Sequence, residues 1–177
     1  MKRTSASLVT AFFLVLGPGT VIGLVPWLIT RWQPHSAPWD TAPLRAIGIA
    51  LIALGLIVVL DAFARFALQG HGTPAPLFPP DTLVITGPYR FVRNPMYVAL
   101  LALLAGQAFF LGSASLLIYA ACAWLVTHTF VRFYEEPTLR RTFGSQYNLY
   151  CAHVHRWLPR LTPWITPTPA EAHPQPH

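Results

Sequence analysis

Apolar residues run in long blocks along this chain, and polar residues gather in short clusters between them. No residue is charged from Thr4 to Thr30, and none from Asn94 to Val131; Leu44 to Leu68 carries only Arg45, Asp61 and Arg65. A membrane-crossing helix needs about 20 mostly apolar residues. The first two blocks therefore predict spans over 7–29 and 44–68. The third block is too long for one crossing, because at about 1.5 Å per residue it far exceeds a hydrocarbon core of about 30 Å. Gly112-Ser113 near its middle is the natural turn, which predicts two helices, 96–111 and 114–133. Ala102, Ala105, Gly106, Ala120, Ala121 and Ala123 are small enough to let these helices pack closely. Gly17-Pro18-Gly19 should kink the first span, which a bilayer tolerates when neighbouring helices satisfy the freed backbone groups.

Between the blocks, Arg31 to Asp40 reads as a polar loop with two interfacial tryptophans, Trp32 and Trp39. Gln69 to Thr86 is too rich in glycine and proline for a helix and reads as an ordered surface loop. Beyond Glu136, Leu139, Phe143, Tyr147 and Tyr150 recur at steps of three and four, which predicts an amphipathic helix over 137–154, with Gly144 as a weak point. Residues 1–161 form one expected domain, and 162–177, with no periodicity, an expected disordered tail.

Composition agrees with the membrane pattern. The chain of 177 residues is 54% hydrophobic and 10% charged, against about 25% charged in a soluble domain. The net charge of +6 raises the question of nucleic acid. The basic residues flank apolar blocks rather than lining a soluble face, so no nucleic-acid partner is expected. All twelve Lys and Arg except Arg31 and Arg45 fall on one side of a four-span arrangement. That bias predicts an inner-membrane protein of bacterial type with both termini cytoplasmic. The uncharged run after Lys2-Arg3 exceeds the apolar core of a signal peptide, so a retained anchor is expected. The fold class is thus all-α integral membrane: about four spans, a C-terminal helical hairpin and a cytoplasmic amphipathic helix.

Candidate chemistry lies in two clusters that bracket the hairpin. The first, Gly87 to Tyr97, holds Tyr89, Arg90, Arg93, Asn94, Pro95, Met96 and Tyr97. A helix starting near Pro95 would add free N–H groups beside the two arginines, a setting suited to a carboxylate or phosphate. The same residues also suit a positive-inside anchor with an aromatic belt. The second cluster, Arg132 to Pro137, holds Glu135 and Glu136. Adjacent carboxylates repel and call for a cation, a protein arginine such as Arg132 or Arg140, or solvent. Together the clusters match a ligand of mixed charge. Asp61 and Arg65, four apart, are expected to pair on one helix face, and His128 to hydrogen-bond to a neighbouring helix. Cys151, His153 and His155 fit no standard zinc spacing, and no metal is expected.

The ordered series Gly87-Pro-Tyr-Arg-Phe-Val-Arg-Asn-Pro-Met-Tyr97, Glu135-Glu-Pro137, Phe143-Gly144, Tyr147, Tyr150 and Arg156-Trp-Leu-Pro159 resembles the integral-membrane methyltransferases. These include the isoprenylcysteine carboxyl methyltransferases and the phospholipid N-methyltransferases. The resemblance covers about Gln69 to Arg160. It implies a small helical bundle that binds S-adenosylmethionine at its cytoplasmic edge and methylates a lipophilic acceptor, either a prenylcysteine-like carboxylate or a phospholipid amine. It implies cofactor contacts from Asp81, Thr82, Leu83, Val84, Tyr89, Asn94, Pro95, Met96 and Tyr97, completed by Glu135 and Glu136. Arg90 and Arg93 are carried as cofactor-binding candidates on charge, and Glu135 and Arg132 as the catalytic ones. The chain departs from the isoprenylcysteine pattern at Asn94, where histidine is common, and at Val131, where a substrate-side arginine is common and Arg132 follows one step later. An NADPH-dependent sterol-type reductase and a non-enzymatic scaffold or transporter are the alternatives.

Overall fold

The protein, seen here in a computed structural model, is described over residues 17–69, 83 and 85–165. The described residues are helical and coil, without strands. A π-helical turn, Thr20–Leu24, leads into α1, Val25–Thr30. There follow α2, Ala42–Gln69, α3, Pro95–Leu111, and α4, Ala114–Phe130. A second π-helical turn, Val131–Glu135, carries α4 without a break into α5, Glu136–His153. Two stretches, Ala42–Ala62 and Ala114–His153, are long and apolar enough to cross a membrane, whereas Thr20–Thr30 and Pro95–Leu111 are shorter apolar helices. The part of the first expected span before residue 17 lies outside the described residues, as does most of the loop after Gln69.

Both π turns end two residues before a proline, Pro26 and Pro137. Proline lacks an N–H, and its ring clashes with the carbonyl four residues earlier. Widening the preceding turn to i→i−5 bonds relieves that clash. The carbonyls left over find side chains. Gln107 donates to the Ile22 carbonyl at 2.9 Å, and the Tyr119 hydroxyl to that of Val21 at 3.1 Å. Neighbouring helices thus repair the break that Pro26 makes, which is the condition for a broken helix in lipid.

The expected turn at Gly112-Ser113 is present. Gly112 ends α3 in the left-handed region at φ 61°, and the Ser113 hydroxyl caps α4 by accepting from the Leu116 N–H. Across α2 and α3 the backbones touch. A Cβ placed on Gly48 would lie 2.7 Å from the Gly106 carbonyl oxygen, and one on Gly106 equally close to that of Gly48. Gly55 meets the Ala99 carbonyl in the same way, so the helices run antiparallel through a seam of small residues. Val59, Ala99 and Leu103 form the buried cluster along that seam. Gly106→Val should cost about 1–3 kcal/mol by overpacking, read as detergent-driven unfolding; unchanged stability would contradict the close crossing.

The expected amphipathic stripe is the one that packs. Leu139, Phe143, Tyr147 and Tyr150 enclose a second core with Val154 and Trp164. Gly144, at φ 52° and ψ −121°, kinks α5 in the middle. The boundary of the packed region moves outward from the sequence expectation. Residues 162–165 are placed: Trp164 is buried and its N–H donates to the Arg90 carbonyl at 2.9 Å. Packing at Trp164 is the reason, since the indole stacks on His153 and lies against Tyr150.

Candidate functional site

The segment Val154–Ile165 forms a strap that lies along residues 90–94. The Arg93 N–H donates to the His155 carbonyl, that of Arg160 to Phe91, and that of Trp164 to Arg90, each at 2.9 Å. Side chains strengthen the seam. Arg90 Nε donates to the Trp164 carbonyl at 2.8 Å, and the Asn94 amide to the Arg156 carbonyl at 3.1 Å. The Tyr150 hydroxyl of α5 donates to the Tyr89 carbonyl at 2.6 Å. The motif Gly87–Tyr97 is thereby fixed against α5, through contacting residues 61 positions apart in the chain.

The two polar clusters converge, and they divide the glutamates between two environments. Glu136 is buried in the protein interior. Arg156 meets it fork to fork, Nε to Oε1 at 2.6 Å and Nη2 to Oε2 at 2.7 Å, and Arg93 Nη1 reaches Oε1 at 2.9 Å. Burial alone would push the Glu136 carboxyl up. The Arg156 hydrogen bond and the charges of Arg93, Arg156 and Arg140 outweigh it and hold the group below the usual carboxylate range. The same bond holds the Arg156 guanidinium protonated more firmly than a free one.

Glu135, one residue earlier, faces elsewhere. Its Oε2 accepts from the Tyr97 hydroxyl at 3.4 Å, a long contact. Among the described residues it has no cationic partner. Burial pushes its carboxyl up, the Tyr97 bond partly offsets this, and the charge of Glu136 adds to the rise. Tyr89 is close enough to feel it: burial and then the Glu135 charge push that phenol up to about 12. An ionised carboxylate has room for about four hydrogen bonds, and among the described residues this one has a single weak donor. Oε1 of Glu135 is open to a ligand.

Several expectations are corrected. The glutamate pair does not sit at a helix end; the π turn keeps the helix continuous through it because Pro137 calls for a widened turn. Glu136 is not a free receptor for a ligand cation, and Arg93 is not a free receptor for an anion, because each neutralises the other. Arg93 also donates to Cys151 Sγ at 2.8 Å. Arg90 is tied to the strap. The arginines on Glu136 are Arg93 and Arg156, not Arg132 or Arg140. Arg132 is exposed and has no hydrogen-bond or ion-pair partner among the described residues, so it does not join Glu135. Asn94 is buried and turned to the strap; it leaves the first N–H groups of α3 without a side-chain cap. Pro95 is buried at the helix start, and Met96 packs into the α2–α3 core. Leu83 packs against the second core. Asp81, Thr82 and Val84 lie outside the described residues, and the expected Asp61–Arg65 contact falls on a side chain that does too.

His128 does not bond to a helix: its Nδ1 accepts from Trp157 Nε1 of the strap at 3.1 Å, with the rings stacked. Arg156 is a residue that sequence reasoning misses, and its place in the Arg156–Pro159 motif is the one signal that points to it.

The geometry that remains open to a ligand is one half-buried carboxylate with no cationic partner among the described residues, two tyrosines near it, and an uncapped helix N-terminus carrying one of those tyrosines in its first turn. A negative group and a positive helix end side by side complement a molecule bearing both charges. Residues 44–146 match the sequence model of a family described as phospholipid methyltransferase. No curated protein matches the chain, and no solved structure does.

Proposed function

Because the chain belongs to the phospholipid methyltransferase family, and so is a membrane protein with methyltransferase ancestry, we propose that it moves a methyl group from S-adenosylmethionine to the amine of a lipid headgroup. The single observation that carries this reading is Glu135, half-buried and without a cationic partner among the described residues, bonded by Tyr97 and with Tyr89 near enough to feel its charge. Bound there, S-adenosylmethionine would supply an already electrophilic sulfonium methyl. The protein's share is then chiefly alignment.

Glu135 gives the counter-charge for the positive donor. Tyr97 holds Oε2 and leaves Oε1 toward the ligand. An ammonium headgroup must lose a proton before it can attack. The Glu135 carboxyl, raised by burial, is matched to accept that proton at Oε1. The uncapped N–H groups at the start of α3 suit the donor's carboxylate. Arg132, exposed at the end of the apolar stretch, is the charge available to a lipid phosphate. This reading takes residues 1–165 as one unit with four crossings and cytoplasmic termini, which the distribution of Lys and Arg supports.

The test uses the full chain in nanodiscs that contain an amine-headed phospholipid, with labelled S-adenosylmethionine. Label should appear in the lipid fraction and be absent with Glu135→Gln. Calorimetry that finds no cofactor binding to folded protein would sink the reading. Binding without labelled lipid would keep the cofactor and reject the acceptor.

A further inference from the structure

We propose that Arg156 of the strap is a positioning residue for this site: by taking Glu136 fork to fork, it leaves Glu135 as the one carboxylate that faces the ligand. The inference rests on the functional reading above and adds a residue beyond the family-matched stretch, which stops at residue 146.

Three observations carry it. The Arg156 pair is bidentate at 2.6 and 2.7 Å, and both partners are mostly buried. Arg156 also accepts, through its own carbonyl, the amide of Asn94, the residue just before α3, so one strap residue touches both halves of the site. Arg93 alone leaves Oε2 of Glu136 without a donor, since it reaches only Oε1 and shares that Nη1 with Cys151, so Arg156 alone holds the carboxylate at both oxygens. Two adjacent ionised carboxylates raise each other's affinity for protons. With Glu136 neutralised, Glu135 can stay ionised to receive a cation. Without Arg156, the Glu136 charge would bear more heavily on Glu135.

The groups around the pair are known on each side. Glu136 faces Arg93 from the motif segment, Arg156 from the strap, and Arg140, Tyr147 and Cys151 from its own helix. Glu135 faces Tyr97 of α3 and Tyr89 of the motif segment, with Glu136 beside it. Neither arginine nor tyrosine titrates near neutrality, so the low-pH limb of ligand binding belongs to Glu135.

S-adenosylmethionine affinity is measured by calorimetry across pH for the full-length wild type, Arg156→Gln and the double variant Glu136→Gln/Arg156→Gln. Arg156→Gln should move the low-pH limb upward by about one unit, and so weaken binding up to about tenfold on the acid side of that limb, the equivalent factor. The double variant removes the surplus charge together with its partner, and should bind within about fivefold of wild type with its limb restored. A role in folding alone would not move the limb, and would not be cured by deleting the partner. The double variant decides even where the single one does not fold: affinity more than about fivefold below wild type overturns the inference, and so does an unmoved limb in a folded single variant. A wild type that binds no S-adenosylmethionine overturns the functional reading itself, and is told apart by that control.

Discussion

Glu135→Gln should lower affinity for S-adenosylmethionine by about 30- to 100-fold and leave the unfolding transition close to wild type. The size follows from the loss of one charge-assisted contact in a half-buried setting, about 2–3 kcal/mol, with each 1.4 kcal/mol counting tenfold. Stability should hardly change, because Glu135 makes one long hydrogen bond and no ion pair among the described residues. The pH dependence has a definite sign. Burial raises the Glu135 titration, and the ionised form is the one that receives a cation. Binding is therefore full at high pH and lost as pH falls through that raised value. Tyr89, at about 12, stays protonated throughout, so glutamine at 135 should flatten the limb as well as weaken binding. A comparison with S-adenosylhomocysteine, which lacks the sulfonium, adds detail. A loss confined to S-adenosylmethionine places the sulfonium at Glu135, and an equal loss for both places the shared ammonium there. Unchanged affinity for both ligands would remove the central element of the site.

The second large effect is on stability. Glu136→Ala should lower the unfolding free energy by about 3–5 kcal/mol, the usual consequence of removing one partner from a buried ion pair and leaving the other uncompensated. Here two guanidiniums, Arg93 and Arg156, would be left facing each other. The exposed pair Asp40–Arg45 makes an instructive control. Its contacts are as short, 2.6 Å for each of two bonds. The Arg45 guanidinium stands half in solvent, however, so losing its partner strands no buried charge, and Asp40→Asn should leave stability nearly unchanged. Burial, rather than distance, separates the two cases. The sign with pH is again fixed: the Glu136 carboxyl is depressed in the folded state, so its contribution is present above the ordinary glutamate range and lost as pH falls through the lowered folded value. The gap in stability between wild type and the Ala variant should therefore be widest near neutral pH and narrow in acid, as the wild type loses this contribution. Equal unfolding energies for Glu136→Ala and Asp40→Asn would contradict the buried cluster.

Much of the architecture was legible from local pattern. Hydropathy located α2, α3 and α4 to within a few residues, Gly112-Ser113 located the turn between α3 and α4, and the three-four stripe from Leu139 to Tyr150 named the side chains that pack beneath the strap. Such features depend on residues close in sequence, whose spacing alone decides which face they share. The prolines marked where helices would be disturbed. They did not say that a widened turn would absorb the disturbance and keep α4 and α5 continuous.

The site was legible as a set of segments and not as a set of partners. Nothing local distinguishes Glu135 from Glu136: they are the same residue, side by side. What separates them is direction, set by the π turn before Pro137, and company, set by Arg93 from one end of the hairpin and Arg156 twenty positions further along the chain. Trp164 likewise looked like part of a featureless tail until Arg90 and His153 supplied its contacts. Periodicity and composition thus determined that this is a membrane helix bundle with charged clusters at one edge, since apolar burial is additive and read residue by residue. Which carboxylate is neutralised and which stays open was decided only by the tertiary structure, because an ion pair exists through the meeting of distant groups in a place that water does not reach.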